Sequence, residues 1–581
     1  PHEPLVLWKD PNFGGSDSMS EGLDCPQQHT VAVIPELACK LRPHQREGVA
    51  FLFECTMGMR GFDGQGCILA DDMGLGKTLM SITLLWTLLN QGTDPSQPTR
   101  PACRRVMVAC PTSLVGNWDN ELKKWIPNQQ CVTFPVKGEA KAVIRNFLNY
   151  KGRHAVLIIS YDQQRLNKKM FEPKPMSHNG GAPTVDLLIC DEAHKLKNAE
   201  SAIAQSLNAL PARKRILLSG TPMQNELGEF FNMVNFCNPG VLGSINEFRK
   251  RYERPILESR EPSCPQHKKE RAAALQRELS TIVNEFILKR GNVLNAQHLP
   301  PKLVQFVCCK LSDEQKRMYD GLIGTKDVRH ILQGKQLDSL LYIRHLINIC
   351  SHPQLILDAY KAKLQEKQQD DLLAGICKLA DGGACPVATA APTAKNRYGL
   401  PSAAPTKVTV DPHRSGKLLV LYRMMLTMRA LKNGERIVVV SNYTSTLNLV
   451  EIMCAQNNWP SVRLDGSTAG TKRTKLVEQF NDPASGCFAF LLSSKAGGCG
   501  INLIGGSRLV LFDPDWNPAS DKQAAGRIWR EGQKRRCYIY RFMSSGTIEE
   551  KIIQRQLSKE GLQNIVEDTE QVNEIASGDL K

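Results

Sequence analysis

Short apolar runs alternate with longer amphipathic or charged stretches along most of the chain, and that alternation sets the elements to expect. Cys67-Ile68-Leu69-Ala70, Val106-Met107-Val108-Ala109 and Val185-Asp186-Leu187-Leu188-Ile189-Cys190 are nearly continuous apolar segments, short enough for strands buried on both faces. Segments of helical character such as Leu79 to Leu89 intervene, so residues 31–235 read as an α/β lobe, a parallel sheet with helices on both faces. From 236 the pattern changes to long charged helical stretches, Glu270 to Glu278, Asp313 to Ile323 and Gln336 to Ile349. Leu379 to His413 is rich in Ala, Pro, Thr and Gly, the composition of a mobile linker, so 236–415 reads as helical insertions and linker. Strand-like runs return at Ile437–Val440, Phe488–Leu492 and Leu509–Phe512 and give a second α/β lobe over 416–548. Glu549 to Leu557 suits a closing helix able to brace the two lobes, with a tail to 581, and residues 1–30 read as an extended N-terminal segment.

Three constellations on this frame carry chemistry. Asp72-Met73-Gly74-Leu75-Gly76-Lys77-Thr78-Leu79 joins the first apolar run to a helix, a strand, glycine loop, helix order that cradles nucleotide phosphates. Lys77 can reach the outer phosphates and the Thr78 hydroxyl can ligate magnesium, although the usual pattern has a glycine where this chain has Asp71. Asp191-Glu192-Ala193-His194 ends the third apolar run, so Asp191 can hold a hydrated magnesium ion and Glu192 can orient or deprotonate the attacking water. Near the far end, Gln523-Ala524-Ala525-Gly526-Arg527-Ile528-Trp529-Arg530 places two arginines three apart; on a helix they share a face, where planar guanidinium forks could neutralise a transferring phosphoryl group.

These elements, in this order, resemble the SWI/SNF-type superfamily-two DNA translocases, whose two lobes have RecA-like parallel sheets. Further matches run through the chain. Leu41 to Val49 resembles the family's adenine-reading segment, with Gln45 as the base-contacting amide. Cys110 to Trp118, including Thr112 and Ser113, and Ile159 to Asp162, including Tyr161, resemble first-lobe DNA-tracking motifs. Leu218-Ser219-Gly220-Thr221-Pro222-Met223-Gln224-Asn225 resembles the segment coupling hydrolysis to lobe movement, a role the likeness extends to His194. Ser441-Asn442-Tyr443, Asp465-Gly466-Ser467-Thr468, Ser493-Ser494-Lys495 and Asp513 to Pro518 resemble second-lobe motifs, with DNA contacts implied at Asn442, Tyr443, Ser467, Ser494 and Lys495. A finer likeness to the Rad fifty-four-like branch, which acts in homologous recombination, rests on Leu41 to Gly48, Phe51 to Arg60, Ile349 to Pro353, Ser415 to Leu418 and Gln533 to Arg536. Lys289-Arg290-Gly291-Asn292 is a loose version of the family's basic segment, and Asp72 replaces its usual glutamate.

The resemblance implies an ATP- and magnesium-dependent motor on double-stranded DNA that remodels protein–DNA complexes in recombinational repair. The lobes would close over ATP and open after loss of the γ-phosphate, ratcheting the DNA. It also implies nuclear residence and, as partners, a RecA-like recombinase filament and nucleosomes. A strand-separating helicase and a non-catalytic DNA- or chromatin-binding scaffold are the competing classes.

Composition narrows this only slightly. A chain of 581 residues with 41% hydrophobic content has room for two or three domains with substantial cores. Its net charge of +16 asks for an anionic partner, which a phosphate backbone, an acidic protein or a membrane face could supply. The 19 cysteines lack the spacing of a disulfide scaffold, which points to a reducing compartment, and Cys308-Cys309, in the strand-like Val304 to Leu311, reads as core filling. Cys264, His267, Cys377 and Cys385 match no standard zinc-ligand spacing and leave a zinc site open. No apolar run is long enough to span a bilayer, and the chain begins at Pro1 without methionine, as a piece of a longer protein would.

Overall fold

The computed structural model describes residues 3–10, 29–97, 100–126, 130–172, 185–220, 227–259, 264–291, 299–332, 339–366, 370–380, 409–494, 496 and 501–563. The expected contacts at Thr221 and Lys495, most of the expected linker, and Cys385 lie outside these residues. The chain divides into two compact units, with the boundary between His298 and Leu299.

In the first unit, Val6–Lys9 (β1) pairs antiparallel with Thr30–Ala32 (β2), so part of the N-terminal segment is a ribbon whose Leu7 and Trp8 pack on the core. The main sheet is built from Gly66–Leu69 (β3), Arg105–Cys110 (β4), Val132–Pro135 (β5), Ala155–Ser160 (β6), Leu187–Asp191 (β7), Lys214–Leu218 (β8) and Ile287–Leu288 (β9). They lie in the order β5-β6-β4-β7-β8-β3-β9, every pair parallel. Period-two alternation explains why these strands are apolar throughout. Met107, Ala109, Leu157, Ile159, Leu188 and Cys190 enter one core, while Val106, Val108, Val156, Ile158, Leu187 and Ile189 enter the other. The helices Pro43–Thr56, Lys77–Asn90 and Val115–Trp125 cover the second face with Leu52, Leu85 and Trp118; Phe147, Leu207, Phe230 and Val283 cover the first.

The second unit has a six-stranded parallel sheet made of Lys302–Cys309 (β10), Ile437–Ser441 (β11), Ser461–Leu464 (β12), Ala489–Ser493 (β13), Arg508–Leu511 (β14) and Cys537–Ser544 (β15). Its order is β10-β15-β14-β11-β13-β12. Val438, Val440 and Leu492 face one core and Ile437, Val439 and Leu491 the other. A separate helical core joins Met318 and Leu322 to Ile349, Cys350, Leu373 and Cys377.

Two strands fall inside the stretch 236–415 that the sequence pattern assigns to insertions. The two residues of β9 close one edge of the first sheet, and β10 forms an edge of the second sheet. β9 is too short to show a period, while β10 takes in the strand-like run from Val304 and is largely exposed, with Leu303, Val304 and Phe306 each near half accessible, so it reads as a strand but not as part of a buried parallel sheet. Core filling holds for Cys309 but not for Cys308, which is exposed. The closing helix runs Ile548–Gln563 and buries Glu549 and Ile552 in the second unit.

Candidate active site and nucleic-acid interface

Strand β3 is fully buried and must turn sharply at Ala70 to reach the helix that starts at Lys77. Gly74 and Gly76 make that turn with φ of 88° and 87°, a left-handed backbone that favours glycine. A Cβ on Gly76 would also overlap the Gln45 amide. Lys77 Nζ donates to the Asp71 and Asp72 carbonyls at 2.6 and 3.1 Å, and burial holds its pKa below the ordinary lysine value against the pull of Asp71, Glu192 and Asp191. The Gln45 amide is used at both ends inside the protein. Its oxygen accepts from Arg42 N at 3.0 Å and its nitrogen donates to Leu75 O at 3.2 Å, so contact with a base requires these bonds to be exchanged.

Strands β7, β8 and β3 are neighbours, and their C-terminal ends carry Asp191, Ser219 and the glycine loop respectively. Ser219 N donates to Leu69 O at 3.1 Å, and Gly220 faces the Met73 side chain. One Asp191 oxygen accepts from Trp118 Nε1 at 2.9 Å and the other from Glu192 N at 2.9 Å. Burial, then the neighbouring Glu192 charge, push the Asp191 carboxyl up to about 6. Glu192 adopts a φ of 53°, strained for a side-chain-bearing residue, and its carboxylate lies 3.4 Å from His194 Nδ1.

Among the sites expected to hold DNA, Thr112 and Ser113 are exposed in a 3₁₀ turn just before the Val115–Trp125 helix. Tyr161 is not available for such contact. Its side chain is 2% exposed and its hydroxyl donates to Asp191 O at 2.6 Å, because Tyr161 opens the helix after β6 with its ring turned into the core. The hydroxyl therefore supports the acidic turn.

In the second unit, Asn442 and Tyr443 follow β11, Ser494 follows β13 and Ser467 follows β12, three adjacent strands. Ser494 Oγ donates to Asn442 Oδ1, and Ser467 is fixed by Asp465, which accepts from its Oγ at 2.6 Å and its N at 3.0 Å. Beneath them lies a buried ionic cluster. Lys417 Nζ is 2.6 Å from Glu549 Oε1 and 3.6 Å from Asp513 Oδ1, with all three side chains fully buried. Asp513 accepts from Ser351 Oγ at 3.1 Å, from Asn442 N at 3.3 Å and from Ser441 Oγ.

The late arginines do not share a helix face. The helix is Pro518–Ala525, with Gln523 in its last turn; Gly526 caps it, and Arg527 and Arg530 lie in the turns that follow. There Arg527 is 3% exposed, its carbonyl accepting from Leu503 N at 2.9 Å, and Arg530 Nη1 donates to Ile501 O at 3.4 Å. Among the described residues no group of three or more His, Cys, Asp or Glu side chains is arranged to hold a metal ion; Cys377 is buried in the helical core.

The motif resemblances put Trp118 in a DNA-tracking segment and Arg290 in a basic segment and give neither a part in the nucleotide site, where the structure places Trp118 Nε1 on the Asp191 carboxylate and Arg290 on Asp71.

The SNF2-related domain family matches residues 44–355 and the helicase conserved C-terminal domain matches residues 416–532. The chain is 46% identical, over 97% of its length, to the DNA repair and recombination protein RAD54 of Oryza sativa subsp. japonica, and 45% identical, over its whole length, to Protein CHROMATIN REMODELING 25 of Arabidopsis thaliana. It is 40% identical over its whole length to the DNA repair and recombination protein RAD54-like of Homo sapiens and covers 74% of that protein. It spans 55% and 60% of the length of the rice and Arabidopsis relatives.

Proposed function

The chain belongs to the SNF2-related family, among its RAD54-like DNA repair and recombination members, and from that premise we propose that it is a DNA-stimulated ATPase that moves along double-stranded DNA. The observation that carries the reading is the convergence of the Lys77 loop, Ser219 and the Asp191–Glu192 turn on the ends of three neighbouring strands.

Loop N–H groups and Lys77 bind the phosphates, the ammonium exchanging two loop carbonyls for phosphate oxygens. Glu192, adjacent to His194, accepts the proton of the attacking water. The Asp191 carboxylate at the end of β7 and the Thr78 hydroxyl in the first turn of the helix after the loop would hold a magnesium ion, which keeps several waters and takes few protein oxygens. Magnesium, when bound, supplies charge neutralisation across the outer phosphates. Arg527 and Arg530 are the groups we assign to the developing phosphoryl charge. Thr112, Ser113, Asn442, Tyr443, Ser467 and Ser494 offer hydroxyl, amide and backbone groups suited to phosphates, which hold a duplex without reading its bases. Action on recombinase filaments or nucleosomes, in the nucleus, is the biological setting we propose; the names of the rice and Arabidopsis relatives support it.

The test is the ATPase rate without DNA, with single strands and with duplex. Stimulation chiefly by duplex, without unwinding of a forked substrate, supports a translocase. Stimulation by single strands with unwinding makes the protein a helicase, and no turnover leaves a binding scaffold.

A further inference from the structure

Asp71 stands where nucleotide-binding loops usually have glycine, and its carboxylate is fully buried. A buried carboxylate requires a partner. The partner comes from 219 residues further along the chain: Arg290 grips Asp71 through two parallel bonds, Nη2 to Oδ2 at 2.6 Å and Nε to Oδ1 at 3.1 Å. The same guanidinium donates through Nη1 to the carbonyl of His44, in the first turn of the helix that carries Gln45.

Three further features serve the same arrangement. The short β9 continues as a ladder beside the phosphate loop: Ile68 N, Ala70 N and Asp72 N donate to Phe286, Leu288 and Arg290 carbonyls at 2.9, 2.7 and 3.0 Å. The Leu75 carbonyl accepts from both His44 Nε2 and Gln45 Nε2, at 3.2 Å each. A Cβ on Gly48 would lie 2.8 Å from Arg290 Nη2 and would overlap Met80 Sδ, so a larger residue there would push the guanidinium and the Met80 thioether from their present places.

We propose that Arg290 is a positioning residue of the nucleotide site, locking the phosphate loop at Asp71 to the Gln45-bearing helix at His44 so that phosphate and base are held in one fixed relation. This rests on the nucleotide reading above. Arginine suits the position because its planar fork makes two parallel bonds to the carboxylate and keeps a further N–H for the His44 carbonyl; lysine keeps the charge and loses the bidentate geometry.

The experiment uses the full chain and measures ADP affinity by calorimetry, KM for ATP and for GTP, duplex affinity and thermal unfolding. Arg290→Lys is expected to weaken ADP binding and raise KM for ATP about tenfold or more, to narrow the gap between ATP and GTP, and to leave duplex affinity unchanged. A folded Arg290→Lys protein with wild-type ADP affinity and ATP preference overturns the proposal. Where that variant unfolds, the neutral pair Asp71→Asn with Arg290→Gln decides, since it removes both buried charges together with the reach to the His44 carbonyl. A folded pair that binds ADP about tenfold more weakly and narrows the gap between ATP and GTP supports positioning, and a folded pair with wild-type ADP affinity and ATP preference overturns it. Failure of the wild-type protein to bind ADP removes the nucleotide reading itself, a separate result.

Discussion

Replacing Lys417 by methionine tests how the loop that carries Ser441 and Asn442 in the second unit is held. Burial alone would strip the proton from this lysine, but Glu549 and then Asp513 hold its pKa above the ordinary value, so it is a cation in the folded protein. Methionine fills similar space and leaves two fully buried carboxylates without their counter-charge. Removing one partner of a buried ionic group costs about 3–5 kcal/mol, roughly 10 °C in the melting transition of a unit of this size. The pH dependence follows from Glu549, whose carboxyl burial already pushes up and which loses the offsetting lysine. A carboxyl with a raised folded pKa is protonated in the folded state where the unfolded chain is ionised, so stability falls as pH rises through that window. The defect is therefore largest near pH 8 and shrinks on acidification, and adding Glu549→Leu should restore part of it. Calorimetric unfolding of the intact chain at several pH values is the assay. A Lys417→Met protein within about 1 kcal/mol of wild type at pH 8, or one whose defect grows on acidification, refutes the reasoning.

Three other outcomes are expected. Glu192→Gln should abolish turnover while leaving duplex binding intact, and parallel loss of both in a filter-binding and phosphate-release comparison would unseat Glu192 as the base. Arg530→Ala should lower kcat on the order of a hundredfold or more with little change in ADP affinity; wild-type turnover would remove it from the phosphoryl site. His345 is 5% exposed, neither ring nitrogen has a hydrogen-bond partner among the described residues, and burial holds its pKa below the usual 6.5. Folding keeps it neutral, so its contribution is intact above pH 6.5 and is lost as pH falls through the lowered folded value. His345→Leu should accordingly gain about 1 kcal/mol at pH 7 and show a shallower loss toward pH 5 in urea titrations, and an unchanged slope would count against it.

The elements that bear the nucleotide chemistry were legible because each is local. Cys67 to Ala70 is apolar and short, the glycines follow, and the helix begins at Lys77 as the pattern requires. The same holds for β7 and its acidic end. What escaped depends on residues distant in sequence or on one local breaker. Arg527 and Arg530 have helical spacing, yet the helix ends at Ala525, with Gly526 as its cap, five residues before Arg530. Tyr161 sits in a segment with an exposed role in the family resemblance, while its ring is taken by the core. Asp71 departs from the usual loop pattern and its carboxylate is held by Arg290, and no periodicity links residues so far apart.

The finer resemblance also changes meaning once the second unit is seen. Ser415 Oγ donates to Ser351 O at 2.6 Å, Ser351 Oγ donates to Asp513, and Gln315 joins Ile349 and Cys350 to Gly416 N. Gly416 itself is required, since a Cβ there would overlap Lys310 O. The Ile349–Pro353 and Ser415–Leu418 motifs are therefore ties around the Lys417–Asp513 cluster, and through Asp513 they fix Ser441 and Asn442. A likeness carried by such residues concerns how the loop at the end of β11 is held rigid. Substitutions at Ser351 or Ser415 should accordingly loosen the loop that carries Ser441 and Asn442 and, if that loop holds DNA as proposed, weaken duplex affinity in a filter-binding titration.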